Sequence, residues 1–223
     1  MKFLTLAFLM IMVALASAVC TNPSGFRSTF TSTSFNLGNG GSSYETGLIN
    51  IDFAGQRASS VFEYYAENGK TYSGFTFSFA ANQTSYLMGF DGKCYEATST
   101  TPIPSGWPTV IQDIGTYTVG VFPVELYEVE SDSADLKQSV LFDLDNCVLV
   151  SSYLANADQT NPGFGTINFL NVGVPSDSDF QLPQACIDVV GSSKPKIGFN
   201  HHKRNADIQV SKVLDHVLNA MKF

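Results

Sequence analysis

Apolar and polar residues alternate with a period of two along most of this chain. Between residues 48 and 53, Ile49, Ile51 and Phe53 fall on one side, with Asn50 and Asp52 on the other. Residues 72–79 place Phe75, Phe77 and Phe79 on one side and Thr76 and Ser78 opposite, and Tyr86, Met88 and Phe90 repeat the pattern. Successive side chains of a strand point to opposite faces, so each run reads as a strand with one apolar face. Further strands are expected over residues 61–65, 117–122, 125–130, 140–144, 147–153 and 166–172. Asn68-Gly69 and Asp91-Gly92 fall between runs and signal tight hairpins, because both central positions of such a turn tolerate positive φ. Many short alternating runs punctuated by Gly, Asn and Asp predict an all-β fold, an antiparallel sandwich or open barrel.

Three segments depart from the pattern. Residues 98–108 (TSTTPIPSGWP) hold three prolines and the single tryptophan. Proline removes a ladder donor, so this is a long loop rather than a central strand, packed by Trp107 and Ile103. Residues 36–43 (NLGNGGSS) form a flexible turn, and residues 192–205 (SSKPKIGFNHHKRN) a polar linker that carries the dibasic pair Lys203-Arg204, a candidate processing site. Beyond it the period changes. Val210, Val213, Leu214, Val217, Leu218 and Met221 have the spacing of an amphipathic helix. The expected organisation is a leader over residues 1–18, a β domain over 19–190, and a linker with a helical tail over 191–223.

The leader follows from Met1-Lys2, an apolar run from Phe3 to Leu15, and the small residues Ala16-Ser17-Ala18. That is the pattern of a secretory signal peptide, and the run falls short of the roughly 20 residues that span a bilayer. No later run approaches that length, so the mature product is expected to lack a transmembrane segment. In an oxidising compartment the four cysteines, Cys20, Cys94, Cys147 and Cys186, read as two disulfides, and spacing alone leaves three pairings open.

Charge is sparse and acidic. Residues 19–186 carry five Lys and Arg against seventeen Asp and Glu. An acidic body argues against nucleic acid, whose phosphates need a basic face, and is compatible with calcium, which takes carboxylate oxygens. All three histidines, His201, His202 and His216, lie in the tail. The β domain therefore has no imidazole base for Ser-His-Asp or Cys-His chemistry, and the chain reads as a non-enzyme. Asp143 and Asp145, two apart, would share one face of a strand; they are the weak calcium candidates, with Asn146 beside them. Asn82-Gln83-Thr84 is a glycosylation sequon in a predicted turn.

Taken in order, several landmarks resemble the ependymin-related family. They are Cys20-Thr21-Asn22-Pro23; Asp52 to Arg57, with its Asp and its Gln-Arg; Tyr86-Leu87-Met88 running on to Lys93-Cys94; Pro102-Ile103-Pro104 with Trp107; Asn168-Phe169; and Phe180-Gln181-Leu182-Pro183-Gln184-Ala185-Cys186. The likeness spans residues 20–186. It implies two curved antiparallel sheets like those of bacterial periplasmic lipoprotein carriers, enclosing a deep apolar pocket. It further implies disulfides joining Cys20 with Cys147 and Cys94 with Cys186; vertebrate members carry a third pair that this chain lacks. Family members are secreted or lysosomal, often glycosylated and dimeric, and associated with calcium and cell–matrix adhesion. By this resemblance the chain is expected to hold a hydrophobic, lipid-like molecule, with Phe75, Phe77, Phe79, Tyr86, Met88 and Phe90 as the candidate pocket lining. The alternative expectation is a calcium-responsive adhesion protein of the extracellular matrix.

Overall fold

The computed structural model describes residues 23–37, 41–89, 91–99, 102–131 and 133–190. The leader, Cys20, Phe90, Lys203-Arg204 and the expected tail helix lie outside the described residues. The described chain is almost all strand: β1 (Gly25–Phe35), β2 (Ser43–Asp52), β3 (Arg57–Ala66), β4 (Thr71–Phe79), β5 (Thr84–Gly89), β6 (Cys94–Thr98), β7 (Val110–Val119), β8 (Phe122–Val129), β9 (Leu136–Asp143), β10 (Val148–Asn156) and β11 (Phe164–Gly173). A short 3-10 turn, Asp177–Phe180, and one helical turn, α1 (Gln184–Ile187), follow.

All eleven strands join one antiparallel sheet in the order β6-β5-β4-β3-β2-β1-β11-β10-β9-β8-β7. The chain forms two meanders, and β1 pairing with β11 welds them at the centre. The two expected sheets are thus continuous with each other, and the half-open barrel is the better description. Its curl can be measured. Phe53 follows β2 and Phe142 lies on β9, four strand spacings away, which is roughly 19 Å on a flat sheet. Yet both rings meet Trp107 edge-on, at centroid distances of 5.6 and 5.3 Å. Phe26 of β1 meets the same indole at 5.4 Å.

Glycine permits part of that curl. Gly47 on β2 and Gly74 on β4 flank Phe62 of β3 in one cross-strand row. A Cβ at Gly47 would collide with the Val61 carbonyl, and one at Gly74 would stand 2.5 Å from the Met88 carbonyl. Backbones approach closely there, as a bending sheet requires.

Strand alternation and register assign every side chain to a face. The inner face carries the large core: Phe26 and Phe30, Ile49 and Ile51, Ala58, Val129, Val140 and Phe142, Leu149 and Leu154, Ile167 and Phe169, all buried together with Phe53 and Ile103. The Pro-rich loop is irregular and drops Ile103 and Trp107 onto this core, as its composition predicts.

Several expectations need correction. Residues 117–122 are a hairpin and not a strand: β7 ends at Val119, Gly120 has φ 65°, and β8 starts at Phe122. Asn68-Gly69 and Asp91-Gly92 do form hairpins, but with three-residue loops. Gly69 donates its N–H to Ala66 (2.9 Å) and Gly92 donates to Gly89 (3.0 Å), and each glycine has φ 75°. The glycine occupies the left-handed position that closes a type I turn into a bulge. β1 was not anticipated, because its Ser and Thr positions dilute an apolar period carried only by Phe26 and Phe30. Finally, β9 ends at Asp143 and Asp145 lies in the turn before β10, so the two acids do not share a strand face.

Candidate functional site

The sequence singled out an aromatic stripe, and the structure assembles it. Register places Phe75, Phe77 and Phe79 of β4 beside Met88, Tyr86 and Thr84 of β5. Phe77 and Tyr86 are buried with Cys186, and Phe75, Phe79, Met88, Cys94, Leu182 and Val189 pack around them. This cluster lies on the outer face, opposite the Trp107 core. Stepping across the sheet, inward-facing Ala58 pairs with Ser78 and Ser60 with Thr76, which sends the intervening phenylalanines outward.

The outer cluster is covered by the segment after β11. Cys94 on β6 is bonded to Cys186 on α1 with Cα atoms 5.0 Å apart, one of the two bridges expected from the family resemblance. Cys147 is disulfide-bonded as well; its expected partner, Cys20, lies outside the described residues. Ionic contacts seat the same segment. Arg27 donates to Asp179 at 2.6 Å. Arg57 donates to Asp52 at 2.7 Å and to Asp177, and its guanidinium stands 4.5 Å above the Phe180 ring. Burial alone would raise the Asp52 carboxyl. The Gly55 N–H and the Arg57 guanidinium outweigh it and hold Asp52 below the ordinary carboxylate value. Asp179 behaves likewise: burial pushes it up, and hydrogen bonds from Ser176 and Arg27 bring it below normal.

These contacts explain the run from Asp52 to Arg57. The Gln56 side-chain amide donates to the carbonyls of Phe53 (2.8 Å) and Pro104 (3.0 Å), tying the β2–β3 turn to the Pro-rich loop. Arg57 ties the same turn to the C-terminal segment. One turn therefore anchors the covers of both faces.

On the inner face the largest departure from apolar packing is Glu45 of β2. It is 1% exposed, and neither carboxyl oxygen has a hydrogen-bond partner. It lies between Ser32 of β1 and Tyr64 of β3, and Tyr64 in turn faces Tyr72 of β4. Burial pushes its carboxyl well above the ordinary value. The sequence reading passed over this residue, although the signal was present: Glu45 and Gly47 continue the phase of Ile49, Ile51 and Phe53. Gln138 and Ser152 are buried on the same face and bond to each other at 3.1 Å.

The remaining candidates stand apart from this face. Asn82 is exposed in the turn before β5, its side-chain oxygen accepting the Thr84 N–H at 3.2 Å. The Asp143 carboxylate accepts the backbone and side-chain N–H groups of Asn146 at 3.1 and 2.8 Å. Among the described residues no three His, Cys, Asp or Glu side chains gather as a metal cluster. No helix of the described residues is long and apolar enough to cross a membrane. The outer face of β7–β10 bears an open groove of about 350 Å³ lined by Tyr117, Val119, Leu126, Leu141 and Tyr153 with two serines.

The fold is that of an all-β half-barrel built from one curled antiparallel sheet. The ependymin domain in its amoebozoan form matches residues 18–212, and the chain belongs to this family. An uncharacterised Dictyostelium discoideum protein is 29% identical over 156 residues, covering 69% of this chain and 48% of its own length, so the chain spans about half of that relative. Among solved structures, MucB in complex with MucA(peri) aligns over 78% of this chain and 59% of its own, with 16% identity and a TM-score of 0.38. A putative outer membrane lipoprotein-sorting protein domain from Vibrio parahaemolyticus aligns over 76% and 94%, with 8% identity and a TM-score of 0.36.

Proposed function

We propose that this protein is a secreted, non-enzymatic carrier that holds a hydrophobic, lipid-like ligand against the inner face of its curled sheet. One observation carries the reading. The sheet curls far enough to bring β2 and β9 onto one indole, yet β6 and β7 remain unpaired with each other. A curled sheet with an apolar inner face and an open edge offers the concave, mostly apolar environment that ligand sites use. Family membership supports the same reading. The outer stripe of Phe75, Phe77, Phe79, Tyr86 and Met88 is the second candidate lining, and a ligand there must displace the segment held by Cys186. Extracellular delivery, with the lysosome as the alternative, and a homodimer belong to the same proposal.

Lipid extraction and native mass spectrometry of protein purified from its own host test the reading. Expected is a co-purifying apolar species of defined mass, released on unfolding. A ligand-free protein that also fails to bind an apolar fluorescent probe would sink it.

The acidic body favours a second reading, a calcium-responsive adhesion protein, with Asp143 and Asp145 as the first carboxylates to test. Calcium binding to the folded state should then raise the melting temperature in a saturable way. No change at millimolar calcium removes this reading.

A further inference from the structure

We infer that Glu45 is the polar anchor of the inner-face site and selects ligands that carry a protonated amine on an apolar body. The inference rests on the carrier reading and adds to it the chemistry of the ligand's polar end. A carboxyl 1% exposed with both oxygens unpartnered is costly to the protein that contains it. Its register neighbours on the inner face are small or hydroxylated: Ser32 beside it on β1, Ser43 and Gly47 two residues along β2, Tyr64 across on β3. None of them brings a charge to the carboxyl. Ser43 is already engaged with Ser34 at 2.8 Å.

The sign of the ligand follows from the other charges. Among the described residues, every arginine or lysine within a strand points outward: Arg27 pairs in register with Asn50, Arg57 with Asp52, and Lys137 with Ala155. Lys93 is engaged with Asp91 at 3.1 Å, and Lys70 is exposed in the β3–β4 loop without an ion pair to Glu45. By register the inner face also carries Glu125 of β8 and Asp113 of β7, and Glu125 accepts the Thr116 hydroxyl at 2.8 Å. A carboxylate ligand would therefore enter a face that carries acids and no strand-borne cation to meet it. An alkyl alcohol would satisfy one oxygen. A protonated amine offers several donors and the opposite charge, and a charge-assisted bond in a low-dielectric site is the strongest of the three. Burial raises the carboxyl's pKa and so disfavours its charged form, and an adjacent cation opposes that bias.

The test compares dodecylamine, dodecanol and dodecanoate, below micelle-forming concentrations, on delipidated full-length mature protein by calorimetry. Wild type should bind the amine at least about tenfold more tightly than the alcohol, as expected for one charge-assisted bond, and the carboxylate more weakly than either. Glu45→Gln keeps the shape and removes the charge. Its melting curve shows whether it folds, and its preference for the amine over the alcohol should fall to within about twofold. Because only one of the body's many acids changes, nonspecific attraction of the amine to the acidic surface would survive the substitution. An unaltered preference in Glu45→Gln overturns the assignment, as does a wild type that binds amine and alcohol equally. Failure of all three compounds to bind overturns the carrier reading itself. Binding of the alcohol without discrimination leaves that reading intact and removes only the role of Glu45.

Discussion

Phe26 and Phe30 on β1, and Phe75, Phe77 and Phe79 on β4, arise from the same period-two pattern, yet they face opposite sides of one sheet. The inner stripe joins a core drawn from β1, β2, β3, β8, β9, β10 and β11, gathered around Trp107. The outer stripe joins a small cluster from β4 and β5, sealed by a segment nearly a hundred residues later in the chain. The inner core is held by curvature: the sheet buries its own face. The outer cluster cannot be buried by curvature, because it lies on the convex side, and it depends on a separate cover. A covalent bond, two ion pairs and a cation–π contact hold that cover down, where the inner side needs only a loop.

This contrast predicts different responses to damage. The largest effect should follow Trp107→Ala, which removes the common partner of Phe26, Phe53 and Phe142. A loss of about 3–5 kcal/mol is expected in urea unfolding, the range for deleting a packed aromatic. A loss below about 1 kcal/mol would show that the inner core does not depend on the indole.

Next in size is Cys94→Ser with Cys186→Ser. The bridge spans 92 residues, and its removal should cost about 2–4 kcal/mol. Limited proteolysis should then cut after β11, while Trp107 emission stays at its wild-type wavelength. A red-shifted indole would mean that the two faces unfold together, and the comparison between them would fail.

The smallest effect sharpens the inner side. Burial raises the folded pKa of Glu45 above its unfolded value. The folded state therefore favours the protonated form: the full stability is present below the unfolded pKa and declines as pH rises toward and through the raised folded value. Glu45→Gln has no proton to lose. It should be more stable than wild type at pH 7, by about 1 kcal/mol or more, because only the wild-type carboxyl carries the linkage penalty, and the difference should shrink as pH falls below about 4. A pH-independent difference in melting temperature would show that titration is not its source.

Much of this was legible in the residues themselves. Alternation located β2, β3, β4 and β5, glycine-containing pairs located the β3–β4 and β5–β6 hairpins, and three prolines marked the loop that carries Trp107. The resemblance supplied the Cys94–Cys186 pairing, which spacing left open. The run from Gly25 to Phe35 was overlooked because hydroxyl side chains occupy its buried positions. Ser28 is wholly buried, its hydroxyl donating to the Leu170 carbonyl at 2.8 Å, and nothing local announces a serine that β11 will satisfy. Glu45 escaped for a related reason: a glutamate reads as solvent-facing until its phase with Ile49 and Ile51 is given weight.

The sequence alone determined the class of element, most of the strand positions, the irregular loop and the absence of a histidine base from residues 19–190. All of these are local properties, set by side-chain period, by proline and glycine, and by composition. Only the tertiary structure decided which face each stripe occupies. Alternation has a period but no absolute phase, and phase is assigned through pairing between distant segments, above all β1 with β11. That pairing turns two meanders into one curled sheet, sends Phe75, Phe77 and Phe79 outward beneath the C-terminal segment, and leaves the Glu45 carboxyl buried among serines and tyrosines on the inner face.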